Sequence, residues 1–403
     1  MKNIKLLSFI WLIGLVFLTI SCVEEIDVKT LTFEDALVVE GTITNEYKFH
    51  EIKLSRTYKL EEDGPAFERE ANISIIDDIG NTYSFQEDTP GVYISDIEFK
   101  AIPEREYQLK ISTSTGKSYS SSSTKLTAES KIDEISASRE INENDIEGIS
   151  IKVNSFNAER ESNYYRYEFE ETYKIIAPHW SEYDISIVSE VPPYEFELVP
   201  RTKEERVCYN TIFSAGIIQT ETNNLSEDRV SNFQVRFIEH DDFIISYRYS
   251  VLVKQYVQSL EAYTFYNILN SLSGSESLFS QNQPGYFNGN IVSENNVNEK
   301  VIGFFEVSSV STKRIFINPR DLIKTKPDFI AYCELVAPFI EGSYGETPLI
   351  DGIKDGSLKF VRINDPEGPA DLIVPGGPYQ MVRARCGDCT TMGTNIEPDF
   401  WEE

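Results

Sequence analysis

The sequence predicts a mainly β protein: a β-sandwich over residues 37–128, then a larger antiparallel β-rich region over 129–403 with one helix near 259–272. Three observations carry this. Apolar and β-branched residues recur with a period of two in short runs bounded by Gly, Pro, Asn and Asp. Tyrosine (22) and phenylalanine (24) are abundant, and both suit a pleated, half-buried surface. A helical period shows only once after the N-terminal apolar segment.

Residues 1–21 begin with Lys2 and Lys5, run through an apolar core from Leu6 to Ile20, and end at Ser21, directly before Cys22. A basic start and an apolar core short for a spanning helix define a secretory signal peptide. The small residue followed by cysteine marks lipoprotein processing, so the chain is expected to be cut before Cys22 and lipidated there. Thr19 stands where leucine is usual in such sites, with Leu18 one place away. The plainer readings are an ordinary secretory signal with a cysteine beside it, or a retained membrane anchor. Acyl chains contribute about 0.8 kcal/mol per buried methylene, so a multi-chain anchor on Cys22 would be effectively permanent. Residues 22–36, with Glu24, Glu25 and Asp27 and no basic residue before Lys29, read as an acidic tether.

From Leu37 the pattern turns to strands. Leu37 to Thr44 is a β-branched run, and Ile52 and Leu54 keep a period of two. Asn72 to Ile76 and Thr82 to Gln86 flank the turn Asp77-Asp78-Ile79-Gly80-Asn81, which makes a hairpin. Pro90-Gly91 turns the chain before Val92-Tyr93-Ile94, and Tyr107, Leu109 and Ile111 alternate before Gly116. The sandwich closes near Ala128.

The second region alternates at Ile149, Ile151 and Val153, at Tyr165, Tyr167 and Phe169, at Phe233, Val235 and Phe237, and from Ile245 to Val253. The period switches at Ser259, a candidate N-cap with Glu261 in the first turn. Ala262, Phe265, Tyr266, Leu269 and Leu272 then follow helical spacing up to Gly274. Strand signals resume at Val301–Val307 and Lys313–Ile317, while the Gly/Pro-bearing stretches 342–356 and 364–378 read as loops.

Four cysteines remain after Cys22: Cys208, Cys333, Cys386 and Cys389. An even number in an exported chain points to two disulfides, with three pairings open. Cys386-Gly-Asp-Cys389 has the spacing of a redox dithiol or half a zinc site. No second close pair, nearby histidine or βαβ setting accompanies it, so structural disulfides tying down the tail are expected.

Removing residues 1–21 removes two lysines and no acid, leaving 35 basic and 66 acidic residues, a net of −31. That field disfavours nucleic acid and anionic membrane surfaces, since both need clustered Lys and Arg.

Sequence motifs for catalysis are missing. His50, His179 and His240 are the only histidines and none has a partner at metal spacing. There is no G-x-S-x-G, P-loop or G-x-G-x-x-G. His240-Asp241-Asp242 could offer a base and its orienting acid, but solvated loop charge is the plainer reading. Asp77-Asp78 with Asn81, and Glu61-Glu62-Asp63, lack the EF-hand order and read as turn residues. No catalytic residue, metal ligand or cofactor is therefore expected beyond the covalent lipid on Cys22. Trp180 and Tyr183, on an irregular stretch after Pro178, form a candidate aromatic platform for a ligand. Phe400 and Trp401, after Pro398, form a candidate docking element. The plain alternative for both is packing within the protein itself.

These residues resemble a family. Leu37 to Asn45, Asn163-Tyr164-Tyr165-Arg166-Tyr167, Gln255 through Tyr266, Gly303 to Val310 with Lys313 to Ile317, Cys386-Gly-Asp-Cys389 and the tail Gly393 to Trp401 are together similar to the Bacteroidetes lipoproteins grouped as "domain of unknown function 4249". The resemblance runs through nearly the whole mature chain. It implies a first domain like immunoglobulin-like or carboxypeptidase-regulatory-like sandwiches. It further implies an outer-membrane lipoprotein displayed at the cell surface, a placement the acidic residues after Cys22 also resemble. The implied partner is an outer-membrane β-barrel of the TonB-dependent transporter type. The family carries no established enzymatic residues. The functional expectation is a non-enzymatic accessory subunit of such a transporter, with an independent glycan- or peptide-binding lipoprotein as the alternative.

Overall fold

The computed structural model describes residues 35–59, 62, 64–273, 289–329 and 332–403. Cys22, the tether up to residue 34, Glu61, Asp63 and Gly274 lie outside them.

The first strands are β1 (Leu37–Thr44), β2 (Glu51–Arg56), β3 (Asn72–Asp77), β4 (Thr82–Thr89), β5 (Val92–Ser95), β6 (Glu106–Ser112), β7 (Ser118–Ser121) and β8 (Thr124–Lys125). Alternation decides which side chains go inside: in β1, Leu37, Val39 and Ile43 are buried and Glu40 is exposed. The β3–β4 hairpin is fixed by Asp77, whose carboxylate accepts from the backbone of Ile79 and Asn81 and from the Asn81 amide at 2.7–3.2 Å.

Next come β9 (Ile132–Ile141), β10 (Glu147–Asn157), β11 (Tyr164–Ile176), β12 (Tyr183–Ser189), β13 (Glu195–Pro200), β14 (Val207–Phe213), β15 (Ile218–Glu221), β16 (Asp228–Glu239) and β17 (Tyr249–Val257). The strand read from Ile245 begins at Tyr249, because Phe243–Ile245 forms a 3-10 turn capped by the Asp242 side chain. Helix α1 (Leu260–Ser273) falls where the period switched, and the Ser259 hydroxyl accepts from the Ala262 backbone at 3.1 Å.

The chain then returns to its beginning. β18 (Ile291–Ser293) pairs antiparallel with β7, and β19 (Val301–Ser308) runs parallel to β1, Leu37 opposite Val301 through Thr44 opposite Ser308. The first sheet thus has ten strands, in the order β18-β7-β6-β3-β4-β5-β2-β1-β19 with β8 beside β6. Its two edges meet where the Asn290 amide donates to the Phe305 carbonyl (2.8 Å) and accepts from the Phe305 N–H (2.7 Å). The sheet therefore rolls around one core that includes Leu54, Ile75, Tyr93, Tyr107, Tyr119 and Phe305. Residues 291–308, which local periodicity grouped with the second region, supply two of its strands.

One residue, Ser309, separates β19 from β20 (Val310–Ile317), which belongs to the next layer. A three-stranded sheet (β16-β10-β9) and a five-stranded sheet (β14-β11-β17-β20, with β15 beside β11) close over a core of Ile151, Tyr165, Tyr167, Tyr249 and Val253. A third, smaller lobe follows. Helix α2 (Pro319–Leu322), just before it, packs on the second core through Leu322, while the lobe itself contains α3 (Pro348–Lys354), β21 (Leu358–Ile363), β22 (Tyr379–Arg383) and α4 (Ala384–Gly387). Helix α3, entered through Pro348, lies within a stretch that reads as loop, and three short helices thus join the one expected.

Candidate functional site

Two disulfides organise the C-terminal lobe: Cys208–Cys389 and Cys333–Cys386. The two cysteines of the C-x-x-C segment thus reach different partners. One ties to β14 and the other to the stretch preceding α3. The tail is held further by reciprocal backbone bonds between Tyr209 and Thr394, at 2.8 and 2.9 Å.

The β12–β13 hairpin packs on α3, β21 and β22 through Ile185, Leu349, Phe360 and Met381. The segment 336–337 adds to the outer side of β22, with Val336 and Met381 exchanging backbone bonds at 2.9 and 2.7 Å. Gly377 donates to the Ala337 carbonyl at 2.7 Å. This approach needs glycine: a Cβ at Gly376, whose φ is +138°, would lie 1.9 Å from the Ala337 oxygen.

Between residues 339–341 and the 364–378 loop lies a cleft of about 530 Å³. Phe339, Ile340, Pro366, Ile373, Val374 and Pro375 give it apolar walls, and Glu341 adds a carboxylate. Asn364 is satisfied within the fold: its amide donates to the Val374 and Gly377 carbonyls and its oxygen accepts from Val374 N–H and Gln380. Phe339 is 59 % exposed and Tyr344, on the adjoining turn, is 97 % exposed. Such a cleft suits an apolar face, such as a sugar ring or a proline-rich peptide. A second, shallower cleft of about 410 Å³ lies on the first sheet between Phe49, Glu87, Ile94 and Asp96.

Three polar clusters are buried: the first joins the two layers, and the other two join the sheets of the second layer. Arg166 of β11 lies between Glu168 and Glu306 of β19, with Tyr256 and Tyr266 rings 4.3 and 5.1 Å from its guanidinium carbon. Burial would push its proton off, yet the charge of Glu306 and its neighbours holds it firmly protonated. Burial would likewise raise the Glu168 carboxyl, but Arg166 holds it below its usual value. Glu171 takes Arg236 side-on at 3.1 and 3.1 Å and the Tyr249 hydroxyl at 2.6 Å. Asp228 accepts from Tyr165 and Thr222 at 2.7 and 2.5 Å. Among the described residues no group of three His, Cys, Asp or Glu is placed to hold a metal ion.

The sequence candidates scatter. Trp180 is half-buried against the second core, pinned by the bond from the His179 N–H to the Cys386 carbonyl at 2.9 Å. Tyr183 opens β12, half exposed. Trp401 is buried edge-on against Tyr209 and Phe316, so it anchors the tail to its own sheet. Phe400 lies under the Arg314 guanidinium, 3.6 Å from carbon to ring centre. Asp242 is used as a cap, and the His240 backbone donates to Glu147. The sequence reading missed Phe339 and Ile340. The signal was present as Pro366, Pro375 and Pro378 with Gly376-Gly377, which read only as loop, and as Pro338, which was not singled out.

Fold and site together define a class: a mainly β chain of two rolled sheet layers and a disulfide-closed lobe, with an apolar cleft and its charged clusters used as ties. The chain belongs to the family described as Domain of unknown function (DUF4249), whose model matches residues 23–314. The match takes in the whole first sheet, ends inside β20, and leaves the cleft of the C-terminal lobe outside it. No curated protein matches the chain.

Proposed function

We propose that the chain is a surface-exposed outer-membrane lipoprotein, anchored through Cys22, acting as a non-enzymatic accessory subunit of a TonB-dependent transporter or related outer-membrane complex. Cysteine usage is the observation that carries it. All four cysteines downstream are engaged in two disulfides, and the fifth stands directly after the basic-start, apolar segment read above as a signal peptide. Disulfides persist in oxidising compartments, which supports export. The use of the buried charged groups as ties between sheets supports a scaffolding or binding role over catalysis. Purification of the tagged native protein in mild detergent is expected to bring down a β-barrel in stoichiometric amount. Recovery of the lipoprotein alone overturns the reading.

The alternative, an independent glycan- or peptide-binding lipoprotein, draws on the apolar cleft. Trp180 is a poor probe because it packs on the core. Phe339→Ala is the sharper test: loss of glycan-array or peptide binding by the soluble protein, with no barrel recovered, favours this second reading.

A further inference from the structure

We infer that the end of the first sheet where the chain emerges is a membrane-contacting face, with Tyr58, Phe67 and Val297 touching the lipid surface. The inference rests on the anchoring at Cys22 proposed above. Register sets the geometry. Leu37 opens β1 opposite Arg56 at the end of β2 and Val301 at the start of β19. Asp35, the 57–59 stretch and the 294–300 loop therefore share one end of the sheet. The opposite end carries the second layer: Thr127 donates to Val257 at 2.8 Å, and Val310 donates to Asn45 at 2.8 Å.

At the Asp35 end three large apolar side chains face solvent: Tyr58 (48 % exposed), Phe67 (58 %) and Val297 (93 %). Phe67 does not stray there by looseness. Arg56 N–H donates to Ala66 and Glu68 N–H to Leu54, at 2.8 and 3.2 Å, so residues 66–68 are laddered onto β2. Gly91 leaves room for the ring, since a Cβ there would lie 3.0 Å from Phe67. The rim is mixed in charge, with Lys59 and Arg69 beside Asp35, Glu62 and Glu70 and with Arg69 paired to Glu87 at 3.3 Å, so the contact is an apolar one suited to a zwitterionic surface. Twelve residues separate Cys22 from Asp35. A chain of that length reaches at most about 45 Å. A lipid on Cys22 would thus hold this end at high effective concentration over the bilayer, where even a weak apolar contact is populated.

The test uses the mature chain with an N-terminal hexahistidine in place of the lipid. It is held on phosphatidylcholine vesicles containing nickel-chelating lipid and brominated acyl chains. Phe67→Trp and Val297→Trp report on the proposed face, Phe49→Trp on the opposite end, and the parent protein supplies the background from Trp180 and Trp401. Quenching at positions 67 and 297 several-fold above that at 49 is expected. Equal quenching at all three, or none, overturns the inference. Because the tether is supplied artificially, this outcome is independent of intact-mass analysis of the native protein, which tests the lipid on Cys22 itself. Should one variant fail to fold, the other carries the comparison.

Discussion

His50 sits buried at the far end of the first sheet, its Nε2 3.0 Å from the Phe99 carbonyl, so the neutral ring donates there. Burial, with Lys48 beside it, lowers its pKa from 6.5 to about 4. Above pH 6.5 neither the folded nor the unfolded state binds the proton. As the pH falls towards 4 only the unfolded state does, so stability drops across that window by up to about 3 kcal/mol. Carboxylates held low, such as Asp388, give up their contribution mainly below that range. Urea midpoints at pH 7 and 4.5 should therefore diverge clearly less for His50→Gln than for the parent, and equal divergence would refute the assignment. Arg166 gives a second case. Arg166→Met leaves Glu306 buried with, among the described residues, only the Ser308 hydroxyl as partner, and should cost about 3–5 kcal/mol in urea unfolding. A cost under about 1 kcal/mol would show the cluster to be idle. The phase of Tyr164 to Tyr167 was legible, but the inward turn of Arg166 was not. A buried arginine is intelligible only once Glu306, distant in sequence, is known to lie across from it.

Among the elements, those with strict alternation or a clean cap were legible in the sequence: β1, the β3–β4 hairpin, β6 and α1. The hairpin β12–β13 and the strands β21 and β22 were not. Their residues pack on one another in a lobe too small to impose a long period, and its stability leans on the disulfides. Each bridge closes a long loop, with separations of 181 and 53 residues. Cys389→Ser should lower stability by about 2–4 kcal/mol. It should also make residues 390–403 the first site of limited proteolysis, because only noncovalent contacts then hold the tail, among them Trp401, the Tyr209–Thr394 bonds, the Tyr209 hydroxyl on Glu397 and Arg314 on Phe400. Cleavage elsewhere first would mean the tail does not depend on that bridge. Strand β19 depends on glycine in a different way. Gly303 has φ +153°, and a Cβ there would lie 2.2 Å from the Val39 carbonyl across the parallel pair. Gly303→Ala should loosen β1 against β19, seen as faster amide exchange at Val39 and Phe305, with the second layer unaffected.

At the scale of the whole molecule, sequence reading gave the class but not the closure, because periodicity says which face of a strand is apolar and not which strand lies beside it. Leu37 to Thr44 announces a strand, yet its parallel partner Val301–Ser308 is more than half the chain away. The consequence concerns folding. A fragment of residues 35–128 holds β1 to β8 and lacks both strands that close the roll. Its Leu37, Val39 and Tyr119 would lose the cover of Val301, Phe305 and Ile291. Fully burying a side chain of this kind contributes about 1.5–3 kcal/mol, so opening the roll removes much of a domain's net stability. The fragment should therefore show no cooperative urea transition and should bind a hydrophobic dye. A chain carrying residues 35–328, with both β18 and β19, should recover a sharp transition for the first sheet. A cooperative transition in the 35–128 fragment would mean that β1 and β7 tolerate open edges, and that the return of the chain serves to join the layers and does not complete the first one.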